Sequence, residues 1–406
     1  MILKIPKISV STIFVLIPLL YFNSCTFEFI KHFSSVLPVV IACIALWGLC
    51  LGVERVPIQI HHILPMAGYF AIVCVLFLVG LQERVNVLEN DLTNTLFMLF
   101  FLCVFTVYSE EQYVQDRSVI LVVCIADVII SCAYSVYRLI DEPNLSRLMS
   151  TGSYHETDAA TMARGIVSYG VVYGLVLLML VVFYWILQQK KNRIFHILLM
   201  VLFLATLFLA QFLIAICLLG IGVIWIFCSN SFNNNTKPTR IFYLTLLGLF
   251  GVFIFPIVIK VIVDSDIFRY EINARLEEIL FLFNGESIEG TDISVRFVQY
   301  ITSLNAFTST FGLGKIFVSS VEVGSHSQWL DGFGNYGLLY VLYIVAIVTF
   351  YKFVSQRLEN FKAKQLYRIV FAVYVIMSLT NTSTWAPITL SLFVIVPFWC
   401  MDRVAE

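Results

Sequence analysis

The chain has 406 residues, 60% of them hydrophobic and 13% charged, with a mean hydropathy of +0.92. A water-soluble domain is nearer half apolar and a quarter charged, so no soluble fold has interior enough to hide this excess. The net charge of −1 and the lack of a basic patch offer nothing to nucleic acid.

A bilayer supplies the missing apolar solvent, and its dry core admits only helices or closed barrels. The apolar runs are continuous and do not alternate at period two, so helices are expected. The ten cysteines stand singly, most of them inside these runs, where they act as small hydrophobes. No C-x-x-C pair and no Cys/His group has zinc-ligand spacing, so neither a metal nor another cofactor is expected.

In chain order, Lys4 and Lys7 precede the apolar run Ile13–Phe22 in the manner of a signal peptide. The stretch lacks a small-x-small cleavage site, and Cys25 after Phe22-Asn23-Ser24 is a poor lipid-attachment match. It reads as an uncleaved first span. Spans are expected at about 9–23, 34–53, 63–81, 92–108, 118–137, 165–187, 241–262, 333–351, 367–383 and 386–401. The run Ile194–Cys228 remains. As one helix it would reach about 50 Å, too long for a hydrocarbon core of about 30 Å.

Charge decides between one crossing and two. The strongest basic clusters are Lys190-Lys191-Arg193 and the group Lys352, Arg357, Lys362, Lys364 and Arg368. The positive-inside rule places both in the cytoplasm, which requires the 194–228 run to turn back near Gln211 and cross twice. The expected fold is therefore an all-α polytopic integral membrane protein of about twelve transmembrane helices. Residues 1–406 form one membrane domain with both termini cytoplasmic, and a large helical outer loop, 263–332, precedes the third-last span. Within that loop, Phe268–Phe283 reads as an interfacial helix and Ser294–Thr308 as a second helix. A shorter outer segment runs from Arg138 to Arg164.

The candidate chemistry lies late in the large loop. Asp292-Ile-Ser-Val-Arg296-Phe-Val-Gln299-Tyr300 puts Arg296 and Tyr300 one turn apart on one helix face. Phe311-Gly-Leu-Gly314 marks a tight turn, and Ser325-His326-Ser-Gln-Trp329-Leu-Asp331 leads into the next span. An imidazole at the membrane surface can take a proton from a hydroxyl near neutral pH. Arginine suits a pyrophosphate, being planar and permanently charged with a fork of donors. Against this, interfacial arginines commonly snorkel, outer-loop histidines are commonly solvated, and a glycine pair is commonly only a turn. Asp127, mid-span, must face the bundle or a wet cavity, as either a proton or substrate site or a carboxyl bonded to a neighbouring helix. Asn381, in Thr380-Asn-Thr-Ser-Thr384, reads as helix glue or as a contact with the outer surface.

The order Arg296, Gly312-Leu-Gly314, Ser325-His-Ser-Gln-Trp-Leu-Asp331, then Gly334-Asn-Tyr-Gly-Leu338 and a span resembles the O-antigen polymerase and ligase family. The twelve-span layout and the large late loop resemble it too. Ala163-Arg164-Gly165-Ile-Val-Ser-Tyr169-Gly170 is similar to an arginine motif at the outer start of a middle span in that family. The turn at Leu209-Ala-Gln211-Phe departs from the family, whose members often carry a Ser-Arg or Ser-Gly element there.

The resemblance implies a metal-independent, inverting glycosyltransferase of the bacterial cytoplasmic (inner) membrane, with its active site on the outer face. The donor would be a glycan on a polyprenyl diphosphate, and the bilayer, a flippase and a chain-length regulator would be its partners. Arg164 and Arg296 would hold the diphosphate and His326 would activate the acceptor hydroxyl. Tyr300, Gln299, Asp331, Trp329 and Tyr169 would bind substrate, with Asp331 orienting His326. A ligase that passes the finished glycan to another acceptor shares this donor chemistry. A lipid-linked sugar transporter is the rival from another class, but it would favour inverted repeats and several midplane charges.

Overall fold

The computed structural model describes residues 8–23, 36–54, 60–78, 85–141, 145–146, 165–188, 192–231, 255–265, 270–284 and 290–402. Every regular element among them is helical. The first half comprises α1 (Val10–Asn23), α2 (Val36–Glu54), α3 (Ile60–Leu78), α4 (Val85–Tyr108) and α5 (Val114–Asp141). There follow α6 (Tyr169–Gln188), α7 (Arg193–Leu209), α8 (Leu213–Ser231), α9 (Phe255–Asp264), α10 (Tyr270–Asn284) and α11 (Asp292–Ser309). The last part holds α12 (Gln328–Tyr336), α13 (Tyr340–Arg357) and α14 (Phe361–Thr380). Finally α15 (Ala386–Leu390) passes through a π-helical turn, Ser391–Ile395, into α16 (Val396–Asp402).

The chain is an all-α protein built for a membrane. Among the described residues five helical stretches are long and apolar enough to cross one: His61–Leu78, Leu88–Tyr108, Glu111–Asp141, Tyr169–Gln188 and Gln328–Arg357. Shorter apolar helices are Val10–Asn23, Pro38–Glu54, Arg193–Leu209, Leu213–Ser229 and Ala386–Met401, whereas α14, at the span expected over 367–383, is not among the helices apolar enough to cross. The span expected at 241–262 lies largely outside the described residues, which resume with α9 at Phe255. Helix α6 is the central one, buried along almost its whole length. A helix apolar on every side belongs inside a bundle.

The 194–228 run breaks where its length demanded. Helix α7 ends at Leu209, Gln211 takes a left-handed φ of 61°, and α8 begins at Leu213. Helix α7 follows α6 after a short connection and packs back along it, and Thr206 Oγ1 donates to Cys132 O of α5. Helix α8 runs parallel to α6, because Phe212 meets Tyr169 and Tyr173 at one end while Gly222 meets Leu180 further along. The chain therefore reverses at Gln211.

Side-chain contacts sort the connections onto two ends of the bundle. At one end Asp116 Oδ1 accepts from Ser9 N (2.9 Å), Ser9 Oγ (2.9 Å) and Thr12 Oγ1 (2.7 Å), tying the start of α1 to the start of α5. Arg357 pairs with Glu110 at 2.7 Å, and Lys362 Nζ donates to Gln188 Oε1 at 3.0 Å. The segments bearing the two strongest basic clusters thus share this end, as expected. Tyr169, Gln211 and the α14–α15 connection lie at the other end.

One expected span differs in detail. The stretch 333–351 is divided between α12 and α13. Gly337, at φ 58°, makes the break, and Leu338 N donates to Gly312 O across it at 2.8 Å. A helix does not continue through that conformation, which suits glycine alone. The loop helices expected at Phe268–Phe283 and Ser294–Thr308 are α10 and α11, displaced by one or two residues at their ends.

Candidate functional site

At the end opposite the Arg357–Glu110 pair, a cavity of about 520 Å³ opens between α6, α8, α11 and the α14–α15 connection. Three of the residues expected to carry chemistry line it: Tyr169, Arg296 and His326. They come from the start of α6, the second turn of α11 and the loop before α12. Its other polar lining is Thr380-Asn381-Thr382, with Trp385 beside them. The rest of the lining is largely apolar: Phe212, then Leu213, Leu218 and Ile221 of α8, with Ile279 of α10 and Ile293 of α11. The cavity is amphipathic, its charged and polar groups sharing the space with a largely apolar lining.

Arg296 is set by α11, whose N-cap Thr291 accepts from Ser294 N with its side chain. Such a cap satisfies one of the helix's free N–H groups and fixes where the helix begins. Arg296 Nη1 donates to Asn381 Oδ1 at 3.4 Å, the long limit of a hydrogen bond. One turn on, the Tyr300 hydroxyl donates to Thr380 O at 2.8 Å, so Tyr300 pins α11 to the cavity wall without lining the cavity itself. Tyr169 lies within electrostatic reach of Arg296, and the Thr382 backbone approaches its hydroxyl.

His326 is held by its neighbours. Ser303 Oγ accepts from Gly324 N (2.9 Å) and donates to Asp331 Oδ1 (2.5 Å). Asp331 Oδ2 accepts from Ser327 N (2.8 Å), and Ser327 Oγ caps α12 by accepting from Leu330 N (3.2 Å). Gln328 N donates to Asn381 O at 3.1 Å, fastening the loop to the same connection that Arg296 touches. Ser325, immediately before the histidine, is left-handed at φ 67°, a costly state for a residue with a side chain. Gly324 lies so close to the Gln299 backbone that a Cβ would overlap Gln299 O. Asp331 thus braces the loop backbone beside His326 and lies within electrostatic reach of the imidazole.

The glycines of the motif have a packing reason. Lys315 N donates to Gly334 O (2.8 Å) and Ile316 N to Asn335 O (3.0 Å), so the Phe311–Gly314 turn clips onto the end of α12. At Gly337 an added Cβ would overlap Gly312 O. The two glycine motifs are one joint that locks α12, which follows the His326 loop, to the Arg296-bearing α11.

Trp329 and Gln299 do not line the cavity. Gln299 Oε1 is buried with no hydrogen-bond partner among the described residues. Arg164 lies outside the described residues, five positions before Tyr169. Asp127 accepts from Asn23 Nδ2 at 3.0 Å, which joins α5 to α1 away from the cavity. No group of three or more His, Cys, Asp or Glu side chains with metal-binding geometry occurs among the described residues.

Sequence reasoning undervalued the α14–α15 connection. Asn381 accepts from Arg296 and receives the His326 loop, and Trp385 is half exposed on the rim. The available signal was a run of four polar residues, Asn381–Thr384, between two apolar helices. A second polar group also went unnoticed. Asp91 of α4 accepts from the Tyr336 hydroxyl, and Gln328 links Tyr340 to Thr384, which in turn bonds Asn94. This network backs α12 on the side away from the cavity. No family model matches the chain, and no curated protein is similar to it.

Proposed function

We propose that this chain is a polymerase that joins polyprenyl-diphosphate-linked oligosaccharide repeat units into a surface polysaccharide. The observation that carries this reading is the meeting of Arg296 and His326 in one amphipathic cavity, though thirty positions separate them in the sequence. A polyprenyl diphosphate has the same division of character. Its isoprenoid chain suits the α8 wall, its diphosphate suits Arg296, and its sugars suit the polar strip at Thr380–Thr382.

In this reading His326 takes the proton of the acceptor hydroxyl. The freed oxygen bonds to the anomeric carbon of the donor glycan from the face opposite the diphosphate. The carbon–oxygen bond to diphosphate breaks, and polyprenyl diphosphate departs with the electron pair. Inversion at the anomeric carbon follows. Arg296 neutralises the charge gathering on the diphosphate, and the resemblance adds Arg164 to that task. The unpaired Gln299 oxygen is a ready acceptor for a sugar hydroxyl if the α12 loop shifts.

The resemblance further places the cavity on the outer face of the bacterial cytoplasmic membrane, with about twelve spans. Reporters fused at Asn192 and Lys362 are expected to read cytoplasm, and one at Asn284 to read the outer side. An outer reading at Asn192 would overturn this orientation.

The decisive phenotype is that of a strain lacking the protein. Single lipid-linked repeat units are expected to accumulate while long chains disappear. Free long chains would identify a ligase, and loss of long chains with the single units confined to the inner leaflet would identify a transporter.

A further inference from the structure

Helix α11 presents two unlike faces. Inward it carries Arg296, Tyr300 and Ser303 to the cavity wall and to α12. Outward, every exposed residue from 295 to 304 is apolar: Val295, Phe297, Val298, Ile301 and Leu304. The spacing of Phe297, Ile301 and Leu304 makes one stripe. A loop helix in water shows the reverse, and a contiguous apolar face of this kind marks a surface that something covers.

The turn after α11 continues the stripe. Phe311 is 94% exposed at its tip, in a left-handed conformation of φ 52°, with Leu313 and Phe317 exposed beside it. The turn is fastened to Leu338 through the Leu338 N–Gly312 O bond, and the Leu338 side chain lies against Gly312. Leu338 is itself exposed and heads the outward face of α13, where Val341, Leu342 and Val345 are exposed too. That face belongs to the stretch Gln328–Arg357, which is long and apolar enough to span a membrane. The apolar surface thus runs from α13 onto the turn and resumes on α11 beyond the exposed Asn305, Thr308 and Ser309.

The hydroxyls on α11 are satisfied within the helix, as a lipid cover requires. Thr302 Oγ1 donates to Val298 O (2.9 Å), Thr308 Oγ1 to Leu304 O (3.1 Å) and Ser309 Oγ to Asn305 O (2.6 Å). In water such back-bonding competes poorly with solvent and slightly weakens a helix. In hydrocarbon it is what a hydroxyl must do, because nothing else there accepts a hydrogen bond. From residue 297 to 309 the helix carries no charged side chain.

We infer that α11 and the Phe311–Phe317 turn are seated in the leaflet on the cavity side of the bilayer, with Phe297, Ile301, Leu304 and Phe311 among the acyl chains. The helix does not cross the membrane. It lies in it as an interfacial element, its inner face walling the cavity and its outer face meeting lipid. Arg296 and Phe297 are adjacent in sequence, so the arginine stands beside the seated face and turns to the cavity. A lipid-anchored ligand then reaches Arg296 from within the leaflet, without first leaving it.

The test uses the unaltered full chain in liposomes of phosphatidylcholine containing a phosphatidylcholine with a diazirine on its acyl chain. After illumination, adducts are mapped by mass spectrometry, and a water-soluble diazirine is used in parallel. Val341 and Val345 of α13 report lipid contact, and Glu277 of α10, exposed and charged, reports water. The expected result is acyl-chain labelling of Phe297, Ile301, Leu304 and Phe311 comparable with Val341, and several-fold above Glu277. Labelling of these four by the aqueous probe at the level of Glu277 would overturn the inference. Protection from both probes would overturn it too, by showing a protein cover such as a second copy. Loss of lipid labelling at Val341 as well would place the fault in the membrane reading itself. None of these outcomes depends on catalytic activity, so failure here leaves the proposed reaction to its own tests.

Discussion

The two ends of this bundle handle polar groups in opposite ways. At the Arg357 end, polar side chains satisfy one another: Asp116 takes three bonds from Ser9 and Thr12, Arg357 pairs with Glu110, and Tyr113 donates to Glu54. At the cavity end, polar side chains hold a loop in place and leave Arg296, His326 and Tyr169 turned to an open space. Backbone strain follows the same division. Among the described residues three of the four left-handed non-glycine residues, Gln211, Phe311 and Ser325, lie at the cavity end, and the fourth, Asn192, of a type that tolerates this conformation, lies at the other. Closed polar sets stabilise a fold, whereas open ones are available to a ligand.

Substitutions can break this contrast, and the largest expected effects lie at the cavity. His326→Gln keeps a hydrogen-bonding side chain but cannot take a proton, so polymer formation is expected to fall about 10²–10⁴-fold. Arg296→Lys replaces a fork with a point charge, for an expected loss of about 10²–10³-fold. Membrane insertion and melting temperature should be unchanged in both. Long chains of normal yield from either variant would remove that residue from the site.

Gly324→Ala tests the joint beneath the histidine. The new Cβ would meet Gln299 O, which must push the loop and α11 apart. Turnover is expected to fall markedly with only a modest loss of thermal stability in detergent, because the strain is confined to a loop. Equal loss of folded protein and of activity would show the joint to be purely structural.

The opposite end should answer differently. Asp116→Ala strands the donors of Ser9 and Thr12 in a buried setting, a cost of about 1–3 kcal/mol. A lower melting temperature with normal turnover per folded molecule is expected. Smallest of all, Arg357→Gln breaks a partly exposed pair worth about 0.2–1 kcal/mol. A large activity loss from Arg357→Gln would erase the distinction between the two ends.

Much of this contrast was legible in the residue order. Continuous apolar runs marked the helices, and helix length against bilayer thickness, joined to the basic clusters, put a reversal at Gln211. Arg296, His326 and Tyr169 were legible as a set only through the family resemblance, since nothing local links positions 169, 296 and 326. The apolar wall of α8 was not legible, because lipid-facing and cavity-facing leucines read alike. Nor was the role of Asn381, whose partner Arg296 is far away in the chain. The bond between Asp91 and Tyr336 joins α4 to α12, and only tertiary packing brings such distant groups together.

The central claim is that His326 is the base in a cavity shared with Arg296. The most direct measurement is turnover of the purified full chain with lipid-linked repeat units, from about pH 5.5 to 8.5, for the wild type and His326→Gln. The expected result is a wild-type rate that rises through the titration of one group near neutrality, and a variant that is slow throughout with that rise gone. Near-normal turnover of His326→Gln with the wild-type pH profile would contradict the claim and move the base to another residue.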